Sequence, residues 1–400
     1  MSTLRVGFIG AGGVNFGSPE GPWNHAMRLE RIGGVKVVGI ADPDLARAQK
    51  IIDGKLQTQY KAIYEGANVR STFTELLDLD KPDLVFIGLP PECHGVSTPP
   101  FNVECVCAER GVHMFIEKPI GAAPPDQILE TIRILKDAEK KGIYSSVGYM
   151  FRYSKAMDKM KEILKEEAAK RGDKENHISM ILAKFNCAYS YINKVTWWDV
   201  RRSGGPIVEQ CTHVVDLARY LAESDYDESS LRAFAIQHDQ RLGKLTDLPV
   251  PYGSDNKSET VDDKVPAEFR IPRLTTAQWT FKSGALCTLT HGVMLHGANI
   301  EAEIEVWADG LRMTLEDPYT TCKLSVRRSH DGEKSGDTIE TFSFGGYGDE
   351  DLTNDPYHNE VVTFLDAIRN KDPSKIRSSF EDAWRTYELT WAIRRASEKK

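Results

Sequence analysis

The chain has 400 residues, 40% of them hydrophobic, 28% charged and 9% aromatic, with a formal net charge of -8. That length and apolar content suffice for two ordinary domains with a sizeable core. The acidic balance excludes nucleic acid or an anionic membrane as the main partner, since both would repel it, and any anionic cofactor must be held by local features. Cysteines at 93, 105, 107, 187, 211, 287 and 322 form no CxxC pair and read as free thiols of a reducing compartment. No apolar run approaches the ~18 residues of a membrane span. The opening MSTLRVGFIG enters a strand without a signal-peptide pattern, so the expected location is cytoplasmic.

Short Val- and Ile-rich runs at Arg5–Ile9, Lys36–Ile40, Asp83–Gly88, Val112–Ile116 and Ile143–Val147 predict strands buried on both faces of a parallel sheet. Helical spacing separates them. Over Pro125–Lys141, Ile128, Ile132 and Leu135 share a face, Asp126 lies near the start and Gly142 ends the helix. This alternation predicts a doubly wound α/β domain over residues 1–149. Residues 150–400 predict an α+β domain on a large, open-faced, mainly antiparallel sheet. It begins with a charged helix and loop over Lys161–Asn176. Thr-rich alternating runs follow at His177–Phe185, Ala233–Ile236, Thr275–Lys282, Ala285–His291 and Glu301–Trp307. Arg241–Pro266 reads as a polar loop insertion. Two amphipathic helices, His358–Arg369 and Phe380–Ser397, close the chain, with the option of packing back on the first domain. Trp279, Phe281 and Leu289 are expected on the uncovered sheet face, as a patch too large for a monomer, which predicts a homodimer or dimer of dimers.

The first strand runs into Gly10-Ala11-Gly12-Gly13-Val14-Asn15. Such a strand, GxG and helix start can turn backbone N–H groups and a helix dipole toward a pyrophosphate; the alternative is a Gly-rich turn without a ligand. Asn15 stands where a third glycine would be, and about nine residues, Phe16–Asn24, look inserted before His25. The second strand ends at Asp42, whose carboxylate can accept from ribose hydroxyls and repel a 2′-phosphate, which favours NAD. Asp42 can also cap a helix over Pro43–Gln49, and Arg47 leaves NADP open.

Three further stretches carry a family resemblance. Gly88-Leu89-Pro90-Pro91-Glu92-Cys93-His94 follows one strand, Glu117-Lys118-Pro119 ends another, and a run from Gly204 through Glu209 and His213 to Leu217 leads into a helix. Together they resemble the Gfo/Idh/MocA oxidoreductases over nearly the whole chain. The resemblance implies a Rossmann domain that binds NAD(P), an open-sheet domain, and a sugar, polyol or related substrate. It implies that Lys118 lies beside the nicotinamide and the reacting hydroxyl, that His213 transfers the proton, and that Arg152 lies near the substrate. Glu209 stands where the family usually has Asp. The expected cofactor set is Gly10, Ala11, Gly12, Gly13, Val14, Asn15, Asp42, Leu89, Pro90, His94, Glu117 and Lys118; the expected substrate set is Lys118, Arg152, Trp198, Glu209 and His213.

The chemistry also stands on the residues. Oxidising an alcohol needs a base for the O–H proton and an acceptor for the hydride. Lys118 after a strand would sit where open α/β sheets bind ligands and could stabilise a developing alkoxide. His213 can exchange a proton near neutral pH, and Glu209 four residues earlier shares its face if the segment is helical; otherwise Thr212 caps the helix. His25 and His113 read as structural, and His94 either closes over the cofactor or starts a helix over Val96–Arg110. Of Trp197 and Trp198, at least one is expected in the core. There is no HExxH or Cys/His cluster, so no metal site is expected. Two alternatives are a non-catalytic dinucleotide-sensing protein on the same fold and a redox-neutral sugar conversion with tightly bound NAD.

Overall fold

The computed structural model describes residues 3–18, 21–172, 177–192, 194–246, 261–296, 300–330 and 336–398. Residues 247–260 of the expected loop insertion and 173–176 of the expected charged segment lie outside them. The chain divides into two compact units, Met1–Gly148 with Tyr357–Trp384, and Tyr149–Pro356 with Arg385–Lys400.

In the first unit, six strands form a parallel sheet in the order β3-β2-β1-β4-β5-β6. They are β1 (Leu4–Ile9), β2 (Val35–Ala41), β3 (Asn68–Arg70), β4 (Leu84–Ile87), β5 (His113–Ile116) and β6 (Ser145–Val147). All four residues of β4 are buried, as continuous apolarity requires of a strand covered on both faces. The helix Pro356–Asn370 brings Val361, Phe364, Leu365 and Ile368 into one cluster with Val6 and Phe8 of β1. The short strand β3 had no apolar run to announce it. Nor does a helix begin at Val96: Pro99 and Pro100 remove backbone donors, and the helix runs only over Val103–Glu109.

The second unit holds a mixed eight-stranded sheet, β14-β13-β12-β11-β7-β10-β9-β8. Its strands are β7 (Ile178–Ala188), β8 (Arg232–Ile236), β9 (Leu274–Thr280), β10 (Leu286–Leu295), β11 (Glu301–Ala308), β12 (Leu311–Glu316), β13 (Lys323–His330) and β14 (Gly336–Ser343). Only β7 and β10 run parallel; every other neighbouring pair is antiparallel. One face is covered by the apolar helix Thr212–Ala222, which packs on β7 and β11.

The phase of the alternation differs from the expectation. Trp279, Phe281 and Leu289 are buried rather than part of an uncovered patch. Thr275, Ala277 and Trp279 of β9 point inward, while Thr276, Gln278 and Thr280 take the other face. The uncovered face instead carries Phe234, Leu286 and Trp307, all exposed. Among the described residues no helix is long and apolar enough to cross a membrane.

Candidate active site

Backbone hydrogen bonds carry the first sheet one residue past its strands. The N–H of Asp42 donates to Arg70 O, Gly10 to Ala41 O, Gly88 to Ile9 O, Glu117 to Ile87 O and Gly148 to Ile116 O, all between 2.8 and 3.0 Å. Asp42, Gly10, Gly88 and Glu117 therefore form a row across the carboxyl edge, with Lys118 next in the chain. The strand order reverses between β1 and β4, and open α/β sheets bind ligands at such a switch point.

Gly10 has φ +97°, and a Cβ there would lie 2.6 Å from Gly88 O, so only glycine brings these two loops together. A Cβ on Gly12 would meet nothing within 4 Å and would project into open space. Such a cradle fits the pyrophosphate of a dinucleotide. The helix that follows is only Gly13–Phe16; a second one starts at His25, capped by Asn24. The helix behind the turn is thus a single turn, too short to supply a long helix dipole. Asn15 is fully buried, and its Nδ2 donates to Gly10 O at 2.7 Å, which ties the turn from beneath.

Asp42 is engaged on both oxygens. Oδ2 accepts the Ala11 N–H at 2.7 Å; Oδ1 accepts from Asp44 N at 2.8 Å and Arg47 Nη2 at 2.7 Å. Burial pushes its carboxyl up, but Ala11, Arg47 and Asp44 together outweigh it and hold it below the usual range. The helix cap expected of Asp42 falls to Asp44, which accepts from Arg47 N. Leu89 and Pro90 lie on the loop after β4.

Two buried histidines of this unit pair with carboxylates. His25 Nε2 lies 2.6 Å from Glu117 Oε1, with the ring packed on Phe86 and Phe115. His94 Nδ1 lies 2.7 Å from Glu104 Oε1, and Glu104 also accepts the Gly95 N–H at 3.0 Å. Glu117 is thus held from within, and Lys118 stands half-buried beside it.

In the second unit, Glu209 ends the short helix Pro206–Glu209, and His213 lies in the first turn of Thr212–Ala222. The two do not share one helix, because the chain breaks at Gln210 and Cys211. Thr212 does not cap its helix; its hydroxyl shares a 2.8 Å hydrogen bond with Tyr149. His213 is buried edge-on to Phe151, Tyr149 and Tyr319 at centroid distances of 5.5, 6.3 and 6.4 Å. Arg152 is buried in a two-pronged pair with Asp216, and Thr386 Oγ1 donates to Asp216 Oδ1 at 2.8 Å. Trp198 is buried in a cluster with Tyr189, Val265, Ile271 and Val293, whereas Trp197 reaches Glu209.

Gln210 donates through Nε2 to Cys187 Sγ at 2.9 Å, and its Oε1 lies 2.8 Å from His291 Nε2. Burial holds the Tyr319 phenol far above its ordinary range, with Cys187 and Glu209 adding to the shift. The Tyr149 phenol is raised likewise, by burial first and then by Asp216. Both hydroxyls therefore stay protonated at neutral pH. Tyr319, Phe151 and Trp197 were absent from the expected site; Tyr319 arrives more than a hundred residues after His213 on a turn with no local signal.

Comparison with known proteins agrees with this architecture. Residues 4–149 match the model of the oxidoreductase family with an NAD-binding Rossmann fold, and residues 152–311 match an oxidoreductase C-terminal domain. An uncharacterized protein of Schizosaccharomyces pombe is 34% identical, over 98% of this chain and 96% of its own. The myo-inositol 2-dehydrogenase of Thermotoga maritima is 20% identical over 99% of this chain and 97% of its own. A 3-ketoreductase from Actinomadura kijaniata, solved with NADP and TDP-benzene, superposes with a TM-score of 0.68 at 16% identity, covering 99% of this chain and 98% of that one.

Proposed function

The chain belongs to the Gfo/Idh/MocA family of NAD(P)-dependent oxidoreductases, and from that premise we propose that it interconverts an alcohol and a carbonyl on a sugar, polyol or sugar acid, with NAD preferred. The support for this reading is the row Asp42, Gly10, Gly88 and Glu117 with Lys118 beside it, a dinucleotide cradle with a lysine at its edge. The names of the relatives agree: one is a myo-inositol 2-dehydrogenase and one a 3-ketoreductase solved with NADP and TDP-benzene. Asp42 at the tip of β2 suits ribose hydroxyls and disfavours a 2′-phosphate, though Arg47 beside it keeps NADP within reach.

Bound NAD(P) supplies the hydride acceptor or donor. Lys118 hydrogen-bonds the substrate oxygen and stabilises charge that develops on it. His213 takes the hydroxyl proton during oxidation and returns it during reduction. Its aromatic surround excludes water from that exchange, and Glu209 accepts from a neighbouring hydroxyl of the substrate. Arg152 acts through Asp216 to hold the base of the His213 helix. We further propose a homodimer or dimer of dimers through the open sheet face. Seven cysteines without a disulfide suit a reducing compartment, and the cytoplasm is the one we propose.

The test is direct. Calorimetry with NAD and NADP, followed by a sugar and polyol panel at pH 7–9 read at the nicotinamide absorbance band, should give binding and turnover with at least one compound. Failure to bind either cofactor overturns the proposal. Tight binding with silence across the panel would favour a sensing role.

A further inference from the structure

Tyr319 lies on the turn between β12 and β13, and the chain holds that turn tightly. The N–H of Cys322 donates to Asp317 O at 2.8 Å, and that of Tyr347 to Tyr319 O at 3.0 Å. A Cβ on Gly346 would lie 2.6 Å from the carbonyl oxygens of both Tyr319 and Thr320, so glycine lets the two backbones come this close. The ring is then set by its neighbours. It meets Phe151 edge-on at 4.7 Å and 74°, and His213 edge-on at 6.4 Å and 86°. A side chain fixed at its backbone and at its ring is pre-organised, so little ordering is left for a ligand to bring about.

Nearby polar groups are spent on the protein itself. The Tyr149 hydroxyl shares its hydrogen bond with Thr212. Gln210 is used at both ends, on Cys187 Sγ and on His291 Nε2. Tyr319 differs. Its hydroxyl makes no hydrogen bond among the described residues, and the residue is only partly buried. Burial first, then Cys187 and Glu209, keep the phenol protonated, so it is a neutral donor beside the proposed proton carrier. A polar group that folding encloses without a protein partner takes one from a ligand or from water.

We propose that the Tyr319 hydroxyl is a substrate contact: it donates to the hydroxyl on the carbon next to the reacting one, and so selects a vicinal diol over the matching deoxy compound. This rests on the sugar-oxidoreductase reading and narrows its substrate class. The reacting oxygen belongs to Lys118 and His213. Hydroxyls on adjacent carbons stand a hydrogen bond's length apart, so a donor beside His213 meets the neighbour of the oxygen that His213 deprotonates. A site built to hydrogen-bond a hydroxyl rejects the analogue that lacks it, because its own polar group is left unpaired.

The test uses the enzyme with saturating NAD, and glucose, galactose and myo-inositol with their monodeoxy analogues. In the wild type, loss of one particular hydroxyl should lower kcat/KM by about three- to tenfold, the effect of one neutral hydrogen bond. Tyr319→Phe keeps the ring against Phe151 and His213 and removes only the donor. It should raise KM for the parent compound by a similar factor, leave kcat nearly unchanged, and treat the parent and that deoxy analogue alike. The ascending limb of the pH profile should stay where it is, because the phenol does not titrate there. Folding is checked by near-ultraviolet circular dichroism. A purely structural role would lower turnover of the parent and of every analogue by the same factor, and that result overturns the inference while the reaction class stands. So does a Tyr319→Phe enzyme with wild-type KM and wild-type discrimination, or one whose ascending limb has moved. If nothing in the panel is oxidised, the reaction class falls. Saturation-transfer NMR on the same compounds then decides the inference alone: discrimination by the wild type that Tyr319→Phe loses supports it, and the same binding pattern in both proteins, or no binding, overturns it.

Discussion

Arg152 and Asp216 form a fully buried two-pronged pair, Nε to Oδ2 at 2.7 Å and Nη2 to Oδ1 at 2.5 Å. The guanidinium also lies 4.7 Å from the centre of the Tyr220 ring. Removing one partner leaves a buried charge alone, so Arg152→Ala and Asp216→Asn should each lower stability by about 3–5 kcal/mol in denaturant titrations. Lysine lacks the planar fork, so Arg152→Lys should rescue little of this. If Arg152→Lys kept the wild-type midpoint and changed only KM, Arg152 would instead be a direct substrate contact.

Asp42 links the cofactor loop to the end of β2 through Ala11 and Arg47. Its folded carboxyl titrates below the unfolded one, so it contributes stability above the ordinary carboxylate range that is lost as pH falls through the folded value. Asp42→Asn should flatten the acid limb of the unfolding profile below about pH 4. It should also weaken NAD more than NADP in calorimetry. An unchanged NAD:NADP ratio would remove Asp42 from cofactor selection.

The edge of the first sheet was legible because its signals are local. Continuous apolar runs mark strands buried on both faces, and Gly10 and Asp42 follow their strands directly. The rest depended on distant contacts. Asp42 resembled a helix cap, and nothing nearby revealed that Ala11, 31 residues away, would claim its oxygen. The alternation of β9 was readable, but its phase was not: Thr and Trp alternate there, and the helix Thr212–Ala222, earlier in the chain, decides which face is covered. The ring of Tyr319 reached Phe151 and His213 by tertiary packing alone.

His291 is fully buried between Phe185 and Gln210, and burial pushes its pKa down to about 3. His113 is depressed likewise, to about 4. Between those values and the ordinary histidine range the unfolded chain binds more protons than the folded one. Stability should therefore rise with pH from about 4 to 6.5 and be lost as pH falls through that window. His291→Gln, which cannot titrate, should reduce the slope of denaturant midpoint against pH. A slope equal to the wild type's would mean that His291 does not carry the effect.

The open sheet face carries a row running Leu286, Met180, Trp307, Arg312, Arg327 and Ile339 across neighbouring strands. Leu286, Trp307 and Ile339 are exposed. Apolar side chains aligned on an uncovered face favour pairing with a second copy. Light scattering at micromolar concentration should give at least twice the 44.9 kDa of one chain. Trp307→Lys with Leu286→Lys should shift the mass toward one chain without loss of fold. A wild-type protein that stays at 44.9 kDa would refute the pairing.

Lys118, Glu209 and His213 are the residues on which the proposed chemistry rests. If His213 carries the proton, His213→Ala should lower kcat by about 10²–10⁴-fold with NAD affinity nearly intact. Lys118→Ala should be at least as damaging, because it removes charge stabilisation at the substrate oxygen. Glu209 should matter less to the rate. Glu209→Asp keeps the carboxylate but withdraws it from the Trp197 indole, so activity should fall and remain measurable. Glu209→Gln should lose more, since it removes the charge that accepts from hydroxyls. In the oxidising direction the base must be unprotonated to receive the alcohol's proton, so the rate should climb with pH. A His213→Ala enzyme with wild-type turnover and the same ascending limb would move the proton-carrier role elsewhere, with Lys118 the first candidate to receive it.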